Sequence, residues 1–254
     1  MDVSETDDPM LMFYNQVNMG GALGVVAESP KSSYFPETKL EAKMVEAMQK
    51  RASKGTAMKS FNTIILKFPK IDQSFRKCKA TFQKFDLTWL LVQCDGMNSE
   101  SKDVDNNDVI DHSELKACFR KLEVSFSEEE IDDFFKACDI NEDMGIKFNE
   151  FIVLLCLVYL LQEDSSKNQL KSRMGLPNLE STFETLVDTF AFLDKNKDGY
   201  VSKTEMIQAI NETTSGERSS GRIAMKRFEE MDWDRNGMVN FKEFLFAFTR
   251  WVGI

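Results

Sequence analysis

Two twelve-residue stretches, DKNKDGYVSKTE at 194–205 and DWDRNGMVNFKE at 232–243, begin 38 positions apart and share one pattern. Each has oxygen-bearing side chains at positions 1, 3, 5, 9 and 12, glycine at position 6 and valine at position 8. Such spacing belongs to a loop that wraps a hard cation, because Ca²⁺ takes six to eight oxygens at roughly 2.3–2.6 Å. Glycine at position 6 makes the tight turn without a Cβ clash. The ligands assigned to the first stretch are Asp194, Asn196, Asp198, the Tyr200 carbonyl, a water held by Ser202, and bidentate Glu205. Those of the second are Asp232, Asp234, Asn236, the Met238 carbonyl, Asn240 through water, and Glu243. Each set holds three carboxylates, and glutamate at position 12 favours Ca²⁺ over Mg²⁺ by giving both oxygens to the larger ion.

Two weaker copies precede them. DVDNNDVIDHSE at 103–114 offers Asp103, Asp105, Asn107, the Val109 carbonyl, Asp111 and Glu114, with Asp108 in the glycine position. Aspartate visits the left-handed region more readily than most residues, so that departure is tolerable. DINEDMGIKFNE at 139–150 offers Asp139, Asn141, Asp143, the Gly145 carbonyl and Glu150. Its position 6 is Met144, its glycine comes one place late, and Lys147 stands at position 9, where an ammonium repels the ion. This loop is expected to bind feebly or to serve structurally. Position-8 residues should pair in short antiparallel contacts, Ile110 with Ile146 and Val201 with Val239.

The segments around the loops carry apolar residues at helical spacing. Helices are expected over 37–54, 57–68, 71–85, 115–122, 128–138, 148–161, 179–193, 203–212, 222–231 and 241–252. Ser127 and Glu130 form a capping-box pair at one start. Residues 87–103 interrupt the first unit. Deleting them would join Asp86 to Val104 and restore a helix running straight into its loop, so they are read as an insertion, testable by a transcript junction that omits them. The expected layout is a disordered segment over 1–36, a basic amphipathic helical segment over 37–70, a first lobe over 71–161, a linker over 162–178 and a second lobe over 179–254.

Bulk properties narrow the setting. The net charge is −10, yet residues 31–84 hold thirteen bases against four acids. That basic segment could touch an anionic surface, but no nucleic-acid reader motif accompanies it, and nucleic acid is not an expected partner. Five cysteines without a CxxC pair suggest neither a disulfide framework nor a zinc site. The longest apolar run, 151–161, falls short of the roughly 20 residues that span a membrane. No secretory signal is expected, and the expected location is the cytoplasm. Peripheral membrane contact would follow only if translation began at Met19, where MGGALG would expose Gly20 for acylation. Mass spectrometry of the native N-terminus tests this.

Four helix–loop–helix units in two lobes over 75–254 resemble the EF-hand proteins of the calmodulin superfamily. The strings MGGALG, KFPKI, ACDINEDMGI, YLL and GERSSGRIAMKRFEEMDW are similar to a plant calmodulin-like subgroup. The resemblance implies an all-α fold of paired EF-hands, preceded by amphipathic N-terminal helices, and a calcium sensor without enzymatic activity.

A sensor opens its helix pairs on binding calcium and docks onto target proteins through their amphipathic helices. Flexible methionines such as Met206, Met225 and Met231 suit such a groove, or else fill the core. The alternatives are a calcium buffer that does not open and a non-catalytic regulatory subunit of an enzyme. No P-loop, nucleophile elbow or kinase signature is present, and His112, the single histidine, is expected at the surface without a catalytic role.

Overall fold

The computed structural model describes residues 35–55, 67, 69–79, 109–122, 124–162, 174, 176–214 and 220–253. Residues 1–34 of the segment expected to be disordered over 1–36, the Met19 start, most of the 57–68 helix, the end of the 71–85 helix, the 87–103 insertion, Asp103, Asp105 and Asn107, and most of the linker lie outside them.

The elements are α1 (Lys39–Lys54), α2 (His112–Lys121), α3 (Glu128–Cys138), α4 (Phe148–Leu161), α5 (Pro177–Leu193), β1 (Val201–Ser202), α6 (Lys203–Thr214), α7 (Ser220–Met231), β2 (Met238–Val239) and α8 (Phe241–Trp251). Residues 69–79 are also helical, with Pro69 near the start of that stretch. The fold is thus mostly helical, with one two-stranded antiparallel sheet among the described residues. Two compact units emerge. Residues 70–183 form one, and residues 184–253 together with α1 form the other.

In the first unit α2 packs on α3 and α3 on α4. Ser127 caps α3, accepting from the Glu130 N–H at 3.2 Å while Glu130 accepts from the Ser127 N–H at 2.8 Å. This is the expected capping box. Phe119 and Phe134 meet edge to face at 5.8 Å in the core. Every residue of α4 from Phe151 to Leu160 is buried, so the apolar run is a core helix. No helix among the described residues is long and apolar enough to cross a membrane. Ile110 and Ile146 exchange N–H···O bonds of 2.9 and 2.8 Å, the pairing that position 8 predicts.

His112 keeps a partly exposed side chain, as expected of a surface residue, and is also engaged. It is half-buried, joined to Asp132 and edge-on to Phe135 at 5.5 Å, and it ties α2 to α3.

In the second unit Phe190 on α5 meets Phe241 and Phe244 at 5.3 and 5.6 Å. α7 packs on both α6 and α8. Val201 pairs with Val239 and Ser202 with Met238. Met206 and Met231 are buried and Met225 half-buried, so in this conformation these methionines fill the core.

The helix α1 begins at Thr38, whose side chain accepts from the Glu41 N–H at 3.0 Å, and ends at Gly55, where φ is 81°. Its stripe of Leu40, Met44, Met48 and Ala52 is buried, the packing that its spacing favours over a solvated face.

Candidate metal centres

The loops at 139–150, 194–205 and 232–243 share one backbone trace despite their different sequences. Position 4 is left-handed in each, at Glu142 (φ 56°), Lys197 (62°) and Arg235 (59°). Position 6 is left-handed too, at Met144 (69°), Gly199 (87°) and Gly237 (87°). The side chain at position 1 enforces the turn. Asp194 accepts from the Asp198 and Gly199 N–H groups at 3.1 and 2.9 Å, and Asp139 accepts from Asp143 and Met144 at 3.2 and 3.1 Å. Asp232 accepts from Gly237 at 3.2 Å. These bonds hold Met144 in a conformation that costs a non-glycine residue roughly 1–2 kcal/mol.

Glutamate at position 12 has two tasks. It lies three residues after the position-9 residue at the N-cap of the exiting helix, so one oxygen accepts that residue's N–H. These bonds are Asp111 to Glu114 (2.9 Å), Lys147 to Glu150 (2.8 Å), Ser202 to Glu205 (2.8 Å) and Asn240 to Glu243 (2.9 Å). In the second loop the other oxygen of Glu150 accepts from the Ile140 N–H at 3.3 Å. In the third loop Glu205 Oε1 accepts from the Asn196 N–H at 3.0 Å. In the fourth, Glu243 Oε1 is buried with no hydrogen-bond partner.

The Glu243 carboxylate lies beside those of Asp232 and Asp234, and one carboxylate oxygen from each of the three residues lies within 4.8 Å of the other two. Two oxygens on opposite sides of one Ca²⁺ stand about 4.6–5.2 Å apart, so the arrangement fits a single ion. The electrostatics agree. Burial, with Asp234 and Asp232 adding to it and the Asn240 N–H opposing, raises the Glu243 carboxyl to about 7. Burial likewise raises Asp194 to about 7, against its hydrogen bond from Gly199, with Asp198 and Glu205 adding to the rise. Asp232 is raised by burial. Carboxylates crowded and desolvated in this way are stabilised by a dication.

The second loop has the same trace but a different charge balance. Lys147 forms an ion pair with Asp143, the position-5 residue. That hydrogen bond is the main cause that holds the Asp143 carboxyl below its ordinary value. An ammonium therefore engages a carboxylate that an ion would need. Asn141 and Asp139 retain their loop bonds, and Glu150 is raised by burial.

The late glycine has a steric reason. A Cβ on Gly145 would stand 2.0 Å from Val109 Cγ1, so the position-7 side chain of the first loop fills the space that glycine leaves in the second. Of the first loop's predicted ligands, Val109, Asp111 and Glu114 are described; Asp103, Asp105 and Asn107 are not.

Four further residues bear on the third loop and were not marked by the motif. Glu41, Val45, Gln49 and Arg51, all on α1, meet the loop or its entering helix. An amphipathic stripe announces that a helix is buried, but not what it covers.

Helix–loop–helix units paired through their position-8 residues define an EF-hand protein. Comparison with known proteins agrees. A family model for an EF-hand domain pair matches residues 183–249, and a second such model matches residues 106–155. The chain is 67% identical over 236 residues to the Arabidopsis thaliana protein named "Probable calcium-binding protein CML21", covering 93% of this chain and 94% of that one. It is 41% identical over 232 residues to "Probable calcium-binding protein CML22" of the same plant, covering 91% and 93%. A calcium-dependent protein kinase of Zea mays is 28% identical over 142 residues, 56% of this chain but 23% of the kinase. The chain belongs to the calmodulin-like EF-hand proteins of plants, and Ca²⁺ is the ion it binds.

Proposed function

We propose that this protein is a calcium sensor whose dependable ion sites are the loops at 194–205 and 232–243. The observation that carries the reading is Glu243. Its buried carboxylate, grouped with Asp232 and Asp234 and keeping one oxygen without a hydrogen-bond partner, is what a bidentate ligand offers an ion. Asp194, Asn196, Asp198, Tyr200 and Glu205 would hold one Ca²⁺, and Asp232, Asp234, Asn236, Met238 and Glu243 a second. Bound calcium supplies the positive charge that these carboxylates lack, and drawing position 12 toward the ion shifts the exiting helix that it caps. Asp103, Asp105, Asn107, Val109 and Glu114 are proposed to hold a third ion. Asp139, Asn141, Asp143, Gly145 and Glu150 form the weakest site, because Lys147 occupies Asp143.

Opening would bring the buried Met206 and Met231 to a groove for an amphipathic helix of a target protein. No catalytic role is proposed, since the kinase likeness spans a fraction of the kinase that suits its EF-hands alone. Binding of a hydrophobic dye tests the sensor reading. A sensor gains dye fluorescence when calcium is added, whereas equal fluorescence in calcium and in chelator would mark a buffer.

A further inference from the structure

The third loop differs from the fourth in what lies against its outside. Gly199 and Gly237 share φ 87°, yet a Cβ on Gly237 would meet nothing within 4 Å. A Cβ on Gly199 would stand 2.8 Å from Val45 Cγ1 and 3.2 Å from the Val45 Cα and carbonyl oxygen. One position earlier, Gln49 Nε2 donates to the Asp198 carbonyl at 2.9 Å. One position later, the buried Tyr200 hydroxyl donates to Glu41 Oε1 at 3.3 Å. Three consecutive residues of the loop, two of them assigned ligands, are thus touched by three residues of α1 spaced four apart, which fall on one helix face.

The same helix is anchored on the element that enters the loop. Arg51 donates from Nε and Nη2 to Asp188 Oδ1 at 3.2 and 2.6 Å and also pairs with Glu184, both on α5. Arg51 and Asp188 have side chains 13% and 9% exposed, so this pair is better shielded than a surface bridge. The buried stripe Leu40, Met44, Met48 and Ala52 adds apolar contact, and α1 also packs on α8.

We propose that α1 is a positioning element for the third calcium site, holding residues 198–200 in their ion-binding shape and raising the affinity of that site but not of the fourth. The proposal rests on the reading of 194–205 as an ion site. Because α1 touches the segment that carries Asp198 and the Tyr200 carbonyl, any adjustment of that segment around the ion changes its contacts with α1. By reciprocity, calcium at the third site must then tighten α1 by the same factor by which α1 tightens calcium. Whatever draws α1 away weakens one site of the pair selectively.

The test is calorimetric calcium titration of the full chain in two backgrounds, Glu243→Gln to read the third site and Glu205→Gln to read the fourth. Val45→Ala plus Gln49→Ala is added to each; both changes keep a helix-compatible residue. In the Glu243→Gln background the affinity should fall about three- to tenfold, the effect of a lost net hydrogen bond and its packing. In the Glu205→Gln background it should change less than about twofold. Amide exchange around Val45 and Gln49 should slow on calcium addition more in the Glu243→Gln protein than in the Glu205→Gln protein. Equal affinities with and without the α1 changes, or equal losses in both backgrounds, would overturn the proposal alone. Calcium stoichiometry unaltered by Glu205→Gln would overturn the reading of the third site, and the proposal with it.

Discussion

Replacing Glu243 by glutamine should move stability and calcium affinity in opposite directions. Glu243 is 1% exposed, and its carboxyl is raised from 4.5 to about 7. A carboxyl raised on folding adds stability that is fully present below its unfolded value and is lost as pH rises through the folded value. Above pH 7, without the cation, the ionised Glu243 therefore weakens the fold. The shift corresponds to at most about 3.4 kcal/mol, and solvent screening in the loop brings it to roughly 2 kcal/mol. Glutamine keeps an oxygen for the Asn240 N–H and places a donor beside Asp232 and Asp234, so it removes this cost.

In chelator at pH 8 the second unit of the Glu243→Gln protein should melt about 8–15 °C higher, at roughly 4–8 °C per kcal/mol for a unit of this size. At pH 5 most of the gain should be lost, because the native acid is then protonated. Calcium affinity at the fourth site should fall about 100-fold, roughly 2.7 kcal/mol, through loss of one charge and one ligand oxygen. The assay is thermal melting followed by Trp233 fluorescence, with and without calcium, at both pH values. A lower melting point for the variant in chelator at pH 8 would refute the reasoning.

The remaining predictions concern the turns. Gly199→Ala and Gly237→Ala share the positive-φ penalty of roughly 1–2 kcal/mol, but only the first meets Val45. Chemical denaturation in calcium should therefore show Gly199→Ala more destabilising by about 1–2 kcal/mol, the scale of local overpacking. Gly145→Ala should destabilise the first unit, and Val109→Ala in the same chain should recover most of the loss in a double-mutant cycle. Met144→Gly should stabilise that unit by up to about 1 kcal/mol, since it relieves the left-handed strain against the greater chain entropy of glycine. Lys147→Ser should free Asp143 and strengthen calcium binding at the second loop by at least tenfold, read as an added calorimetric event.

Much of this was legible because a cation loop fixes residue type and spacing together. Gly199, Gly237, the pairing of Val201 with Val239 and the starts of the last three exiting helices just after position 9 all follow from the twelve-residue pattern alone. What single-loop spacing does not contain is the neighbour. Gly145 looks misplaced within 139–150, and its reason lies across the pair, in Val109. Met144 looks disqualifying at position 6, yet Asp139 and the pairing of Ile146 hold the turn regardless. Lys147 was expected to repel an ion; its engagement of Asp143 depends on a side-chain direction that spacing does not encode. The stripe of α1 was equally plain, but Arg51 and Gln49 carry no local sign that their partners stand 137 and 149 residues away.

The central claim is that 194–205 and 232–243 are the dependable ion sites. Calcium titration by calorimetry of the intact chain and of its Glu205→Ala plus Glu243→Ala variant tests it most directly. The account predicts that the variant binds two fewer ions while any binding at 103–114 persists. An unchanged stoichiometry would contradict it.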